Sequence, residues 1–385
     1  MKVKSSVSTH VTSSKIKYYS IREYMDRVVF SKFFISFLLK GIHMQQHLNT
    51  IREILQYGET ILTDRSGSGM RSVIGVMEKY PLLDGSFPLV TTRKINFTKT
   101  LHELIWFIKG TSDVTYLEEN KVPFWTKWTT ERNIQIDKKP FKTIGPMYPE
   151  IWRKLSVTNV NVEVGSDKAD NHMVSCKTID QLKDLVVGLA RDIQYDVISR
   201  RHYISNVNLG MRPFEKLDPI TNVKMGHMAL DTCHREFFVS LRPISDTELE
   251  EVINYRENQA KQFGEVDNRP LPKYKLMTSL TMRSNDVAIG KPHNIAQYAC
   301  MNFILAHILN CHPGEHTHMV HDAHIYLPHI QNIKEQLSRT PFPAPKLYLS
   351  QQLNKEKLLS GDIDIEWFKV VGYQSHPAIS FSLEG

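Results

Sequence analysis

From Met44 the run MQQHLNTIREIL places Leu48, Ile51, Ile54 and Leu55 at helical spacing, which predicts an amphipathic helix and the start of a folded body. Residues 97–109, FTKTLHELIWFIK, repeat that spacing at Leu101, Leu104, Ile105 and Ile108, while Trp106 and Phe107 make most of the circumference apolar. A buried helix follows. Glu103 is a carboxylate within it, and a buried acid requires partners, a raised pKa or a function. HYISNVNL (202–209), EFFVSL (236–241) and KLMTSLTM (275–282) are rich in β-branched, aromatic or alternating residues and read as strands. Residues 295–311, IAQYACMNFILAHILNC, predict a second buried helix. Polar stretches interrupt these elements at 129–143, 155–179 and 242–273, the last reading as a charged helix and loop, and all three are expected at the surface.

Composition narrows the class. The chain has 385 residues, 41% hydrophobic and 23% charged, enough for a sizeable core in one large domain or two. Four cysteines, Cys176, Cys233, Cys300 and Cys311, show no CxxC spacing. They argue against a disulfide framework or zinc ribbon and fit a reducing, cytoplasmic setting. The formal charge is +7, but residues 1–43 hold eight Lys and Arg against Glu23 and Asp26, leaving the other 342 residues near +1. The body is therefore not a basic nucleic-acid-binding surface, and no specific nucleic acid is expected as a partner. Val28–Ile42 is apolar but interrupted by Lys32 and Lys40, too short for a membrane span and placed too late for a signal peptide. Residues 1–43 thus read as a basic N-terminal extension and 44–385 as the catalytic domain.

Three groups of residues are candidates for chemistry. Cys233, beside His234 in HMALDTCHREFFV, is a nucleophile only if a nearby cation, base or helix terminus favours its thiolate. Arg65 in the turn DRSGSG, the tandem Arg200 and Arg201, and Arg283 followed by Ser284 form a set suited to a phosphomonoester, since arginine binds phosphate in a bidentate fork. DRSGSG lacks the GK[ST] element of a P-loop. The histidines of CHPGEHTHMVHDAHIYLPH match no HExxH motif, and no metal is expected there.

Taken in order, DRSGSGMRSVIG, FPLVTTRK, ELIWFIKG, FWTKW, GPMYPEIWR, SRRHYIS, MALDTCH, LTMRSNDVAIGKPHNIAQYA, HDAHIYLPH and GYQSHPAI resemble the thymidylate synthase family, which includes the phage pyrimidine-nucleotide hydroxymethylases. The resemblance runs from about Met44 to Gly385. It implies an α+β fold, a large mixed β-sheet with packed helices, that dimerises sheet to sheet. It also implies a deoxynucleoside monophosphate as substrate and 5,10-methylenetetrahydrofolate as co-substrate.

By its place in MALDTCH, Cys233 matches the thiolate that adds to C6 of the pyrimidine, turning C5 into a carbon nucleophile. The resemblance puts phosphate on Arg65, Arg283 and Ser284 of one subunit and on Arg200 and Arg201 of its partner. It puts the sugar hydroxyl on His324 and Tyr326, and proton transfer on Glu103 and Tyr148. Trp125, Asp286 and Asn96 match folate-contacting positions, and Asn285 joins the nucleotide site. Asn294 matches the base reader: an amide pairs with uracil N3–H and O4 together, whereas the deoxycytidylate enzymes carry aspartate, so dUMP is the expected base. TMRSND, with Met282 where synthases carry glutamine, is similar to the hydroxymethylases. Thr232, His293, Pro149 and the ending SFSLEG also depart from the synthase pattern, whereas Trp125 and Trp128 are typical of it. The resemblance implies dUMP hydroxymethylation for modified viral DNA, with thymidylate synthesis as the alternative.

Overall fold

A computed structural model describes residues 44–63, 67–133, 140–162 and 172–384, so the basic segment 1–43 and Arg65 lie outside the described residues. In chain order these residues form α1 (Gln45–Tyr57), β1 (Glu59–Ile61), β2 (Met70–Pro81), α2 (Phe97–Lys109), α3 (Thr115–Glu119), β3 (Thr130–Asn133) and β4 (Pro140–Thr143). Next come α4 (Tyr148–Lys154), β5 (Leu155–Val162), β6 (His172–Ile179), α5 (Gln181–Gln194), β7 (His202–Ser205), α6 (Pro219–Lys224) and β8 (His234–Pro243). The order continues with α7 (Leu249–Phe263), β9 (Tyr274–Asp286), α8 (Gly290–Ile308), β10 (His312–Tyr326), α9 (Ile330–Ser338), β11 (Lys346–Leu349), α10 (Lys355–Ser360) and β12 (Phe368–Val371).

Six strands make one mixed sheet in the order β1-β2-β10-β9-β8-β7. Among the described residues only β9 and β10 pair in parallel, and such a pair needs a crossover connection, which α8 supplies. Helix α8 is buried around nearly its whole circumference, as its continuous apolar sequence demands. Helix α2 forms where Asn96 caps its start by accepting the Lys99 N–H, and it ends at Gly110 in the left-handed region. A Cβ at Gly110 would stand 2.4 Å from Cβ of Arg153, so this turn requires glycine.

Several expected elements differ in detail. Strand β8 starts at His234, directly after Cys233, and α8 begins five residues earlier than its apolar run. Strand β2 was not anticipated: its inward side carries Glu78 beside Val76 and Tyr80, while Ile74 and Met77 are exposed, which inverts the usual alternation. Within the polar stretches 129–143 and 155–179, β3 pairs antiparallel with β4 and β5 with β6. The 242–273 stretch contains the expected helix between the paired strands β8 and β9, and one face of α7 packs inward. It buries Val252, Tyr255 and Gln259; the Tyr255 hydroxyl donates to the Leu347 carbonyl, and Gln259 Oε1 accepts the Leu349 N–H, so the helix supports β11.

The core holds an ion pair between Lys291 of α8 and Glu78 of β2, both almost wholly buried. Glu78 also accepts from Thr50 and, at 2.5 Å, from the Tyr80 hydroxyl, so its oxygens are fully engaged. Among the described residues no helix is long and apolar enough to cross a membrane.

Candidate active site

Cys233 sits half-buried at the end of the loop entering β8. Its N–H donates to the Tyr148 hydroxyl at 2.9 Å, and Arg283 of β9 brings a guanidinium nitrogen to 3.4 Å from Sγ. That cation stands where a thiolate would carry its charge. Cys300 and Cys311 are buried, and burial pushes their thiols up, Cys311 to about 12, which suits inert core residues. Arg283 is oriented by the Asp231 carbonyl at 3.2 Å and by the Asp231 carboxylate at 3.6 Å, while its side chain stays exposed. Thr232, ahead of the cysteine, is fixed through its hydroxyl, which donates to the Asn206 carbonyl.

Glu103 projects from α2 and is buried; burial pushes its carboxyl up to about 7, with the Trp125 indole N–H, 2.8 Å from Oε1, acting in the opposite direction. Its pKa near neutrality suits a group that both gives and takes protons. Trp125 packs edge-on to Trp128, ring centres 6.0 Å apart, in an aromatic wall next to Glu103. Tyr148 opens α4 and stacks between Phe107 and His234, with centroids 4.9 and 4.5 Å away. Burial raises its phenol. Pro149 follows in the first helical turn, where its missing N–H costs nothing.

One residue before Asn294 on α8, His293 places Nδ1 2.6 Å from the Thr100 hydroxyl and packs edge-on to Phe124. Burial lowers its imidazole to about 4, so the ring is neutral at pH 7. Thr100 precedes Glu103 by three residues and shares its helix face. Asn294 Oδ1 accepts from Asn285 at 2.9 Å, and its Nδ2 donates to His234 Nε2 at 3.0 Å.

His324 and Tyr326 lie on one side of β10, their rings 5.1 Å apart, with His324 Nδ1 3.3 Å from the Ser284 hydroxyl. Asp286 turns its carboxylate onto the Ala288 and Ile289 N–H groups at the entry to α8, and burial pushes it up. Asn96, expected near folate, is exposed and spends Oδ1 on capping α2. Asn285, expected at the nucleotide, is buried and bonded to Asn294 and His318, which places it behind the site. Arg200 and Arg201 are exposed on the approach to β7 at the sheet edge; among the described residues no hydrogen bond or ion pair joins them to the Cys233 cluster.

Several histidines of CHPGEHTHMVHDAHIYLPH have protein partners: on β10 His312 meets the Leu83 carbonyl, His316 the Thr278 hydroxyl and His318 the Asn285 side chain, and just beyond it His329 meets the Ser382 carbonyl. Among the described residues no group of three His, Cys, Asp or Glu side chains is placed to hold a metal. The C-terminal segment lies docked: Arg339, Asn332 and His329 meet the carbonyls of Pro377, Ser380 and Ser382, and Glu384 accepts from Ser68.

A family model described as thymidylate synthase matches residues 45–384. The chain belongs to the thymidylate synthase family. Membership makes it a one-carbon transferase acting at C5 of dUMP, with methylenetetrahydrofolate as co-substrate, and its α+β architecture around a large mixed sheet is that of the family. Sequence reasoning missed the Thr100–His293 pair and the buried Glu78–Lys291 pair, although His293 stood out as a departure from the family pattern.

Proposed function

We propose that this enzyme hydroxymethylates dUMP at C5, converting dUMP, 5,10-methylenetetrahydrofolate and water to 5-hydroxymethyl-dUMP and tetrahydrofolate, as suits modified viral DNA. The observation that carries this reading is the polar wall made by Thr100 and His293 at 2.6 Å, one helical turn from Glu103. Together they offer a water hydrogen-bond partners and a proton acceptor.

In this reading Cys233 Sγ bonds to C6 and the ring becomes an enolate nucleophilic at C5. Methylenetetrahydrofolate supplies the carbon at the oxidation level of formaldehyde. C5 bonds to that carbon and loses its proton, and tetrahydrofolate departs as the amine. The water oxygen, deprotonated toward Glu103, bonds to the exposed carbon, and Sγ leaves C6 to restore the ring double bond. Arg283 and Ser284 bind the phosphate with Arg65, and Arg200 and Arg201 complete the site across a homodimer; the exposed Ile74 and Met77 on the sheet support such packing. Asn294 reads uracil, and His324 with Tyr326 holds the sugar. Tyr148 relays protons beside Cys233, and Trp125 with Asp286 lines the folate side.

One feature favours the sister reaction, reductive methylation to dTMP with release of dihydrofolate. The docked C-terminal segment is suited to excluding water from the cleft. Mass spectrometry of the nucleotide formed from dUMP and methylenetetrahydrofolate, with dihydrofolate absorbance read in the same tube, decides. A hydroxymethyl product without dihydrofolate is expected. A methyl product with stoichiometric dihydrofolate would make the protein a thymidylate synthase, and no product beside an active control enzyme would overturn both.

A further inference from the structure

Behind Asn294 runs a chain of buried polar groups. His318 Nε2 lies 3.1 Å from Asn285 Oδ1, Asn285 Nδ2 donates to Asn294 Oδ1 at 2.9 Å, Asn294 Nδ2 meets His234 Nε2 at 3.0 Å, and His234 Nδ1 meets the Tyr298 hydroxyl at 2.9 Å. Every member except Asn294 is buried. We propose that Asn285, set by His318, is a positioning residue that fixes which way round Asn294 presents its amide, and thereby decides between uracil and cytosine. This rests on Asn294 being the base reader.

The direction of each hydrogen bond in this chain is set by its neighbours. Burial lowers the imidazoles of His318 and His234, His234 to about 3, so each ring is neutral and carries one proton. A neutral ring donates at one nitrogen and accepts at the other, and each amide donates at one end and accepts at the other. The chain therefore has two self-consistent states, in which every bond points one way or every bond points the other. His318 Nδ1 is buried without a protein partner and feels the charge of Lys291. A bare lone pair is favoured there over an orphaned N–H aimed at a cation. The proton then sits on Nε2 and donates to Asn285 Oδ1. It follows that Asn285 donates to Asn294 Oδ1, Asn294 donates to His234 Nε2, and the His234 Nδ1–H donates to Tyr298.

In that state Asn294 retains one lone pair on Oδ1 and one hydrogen on Nδ2. These match N3–H and O4 of uracil. Reversing the chain exchanges the two atoms, and the same side chain then matches N3 and the amino group of cytosine. The reader is thus ambivalent by itself, and the groups behind it break the tie.

Asn285→Asp, assayed at a pH high enough to ionise the new carboxyl, tests this because it keeps the shape but as a carboxylate can only accept. The His318 Nε2–H and the Asn294 amide must then both donate to it, which turns Asn294 to the cytosine orientation. Release of tritium from C5 reports activation of either nucleotide without reference to the final product. The preference for dUMP over dCMP in kcat/KM is expected to fall by about tenfold or more. A preference unchanged within about twofold would overturn the proposal. A wild-type enzyme releasing tritium from neither nucleotide would refute the proposed function instead, so the two failures are distinguishable. Neutron diffraction from wild-type crystals gives a second reading if the variant does not fold. Hydrogen on His318 Nε2 and His234 Nδ1 is expected, and hydrogen on the opposite nitrogens would overturn the assignment.

Discussion

Replacing Glu103 with glutamine separates what this carboxyl does for catalysis from what it costs the fold. Burial holds its pKa near 7 against a usual 4.5. The folded state therefore keeps a proton that the unfolded chain gives up between those values, so stability falls as pH rises from about 4.5 to about 7 and is level above. A gap of about 2.5 units corresponds to about 3 kcal/mol once both states are ionised. Glu103→Gln keeps an oxygen for the Trp125 N–H and removes the ionisation. It should stabilise the protein by about 3 kcal/mol at pH 8 but by less than about 1 kcal/mol at pH 5, measured by urea unfolding at fixed protein concentration. Turnover should drop by about 10² to 10⁴, and the limb of the pH–rate profile near 7 should vanish. An equal change in stability at both pH values would refute the reasoning, because only an ionisation displaced by burial gives the difference.

Arg283→Ala removes one cation from the proposed phosphate site and should raise KM for dUMP roughly ten- to a hundredfold in steady-state assays, as expected for a charge-assisted contact of about 1.5–3 kcal/mol. Lys291→Met leaves the Glu78 carboxylate buried without its ion-pair partner and should cost about 3–5 kcal/mol in urea unfolding. A loss below about 1 kcal/mol would overturn this expectation. His293→Phe removes the polar wall beside Thr100. The ratio of methyl to hydroxymethyl product, read by mass spectrometry, should rise while release of tritium from C5 persists; an unchanged ratio would exclude His293 from choosing the product.

Helices α1 and α2 were legible because their apolar residues recur at helical spacing, and the bounds expected for α2 match the structure. Strand β2 was not, since Glu78 occupies an inward position where periodicity asks for an apolar residue, and its compensation by Lys291 comes from 213 positions away in sequence. Glu103, Cys233 and Arg283 stood out singly from their residue types and surroundings, whereas Tyr148 and Asn294 were nameable only through the ordered motifs, which also joined all five into one site. Asn285 shows the opposite limit. Its neighbours in the chain suggested substrate contact, but its place near the end of β9 brings it to Asn294 and His318. Hydrogen-bond direction is a property of partners brought together by folding, and a linear sequence does not carry it.

The parallel pairing of β9 with β10 through α8 has a consequence for how such an enzyme changes over time. Arg283, Ser284, Asn285, Asp286, Asn294, His324 and Tyr326 all belong to this one strand-helix-strand unit or the turn within it. Glu103, Thr100, Trp125 and Tyr148 come from the region before residue 155, and Cys233 from the loop entering β8. In the proposed function, apart from His293 and the phosphate-binding Arg65, Arg200 and Arg201, recognition of the nucleotide and the fate of the transferred carbon are encoded in separate stretches of chain. Substitutions in the earlier stretch can redirect the outcome of the reaction while the later one goes on holding the same nucleotide. A lineage can thus move between products without passing through a form that has lost its substrate.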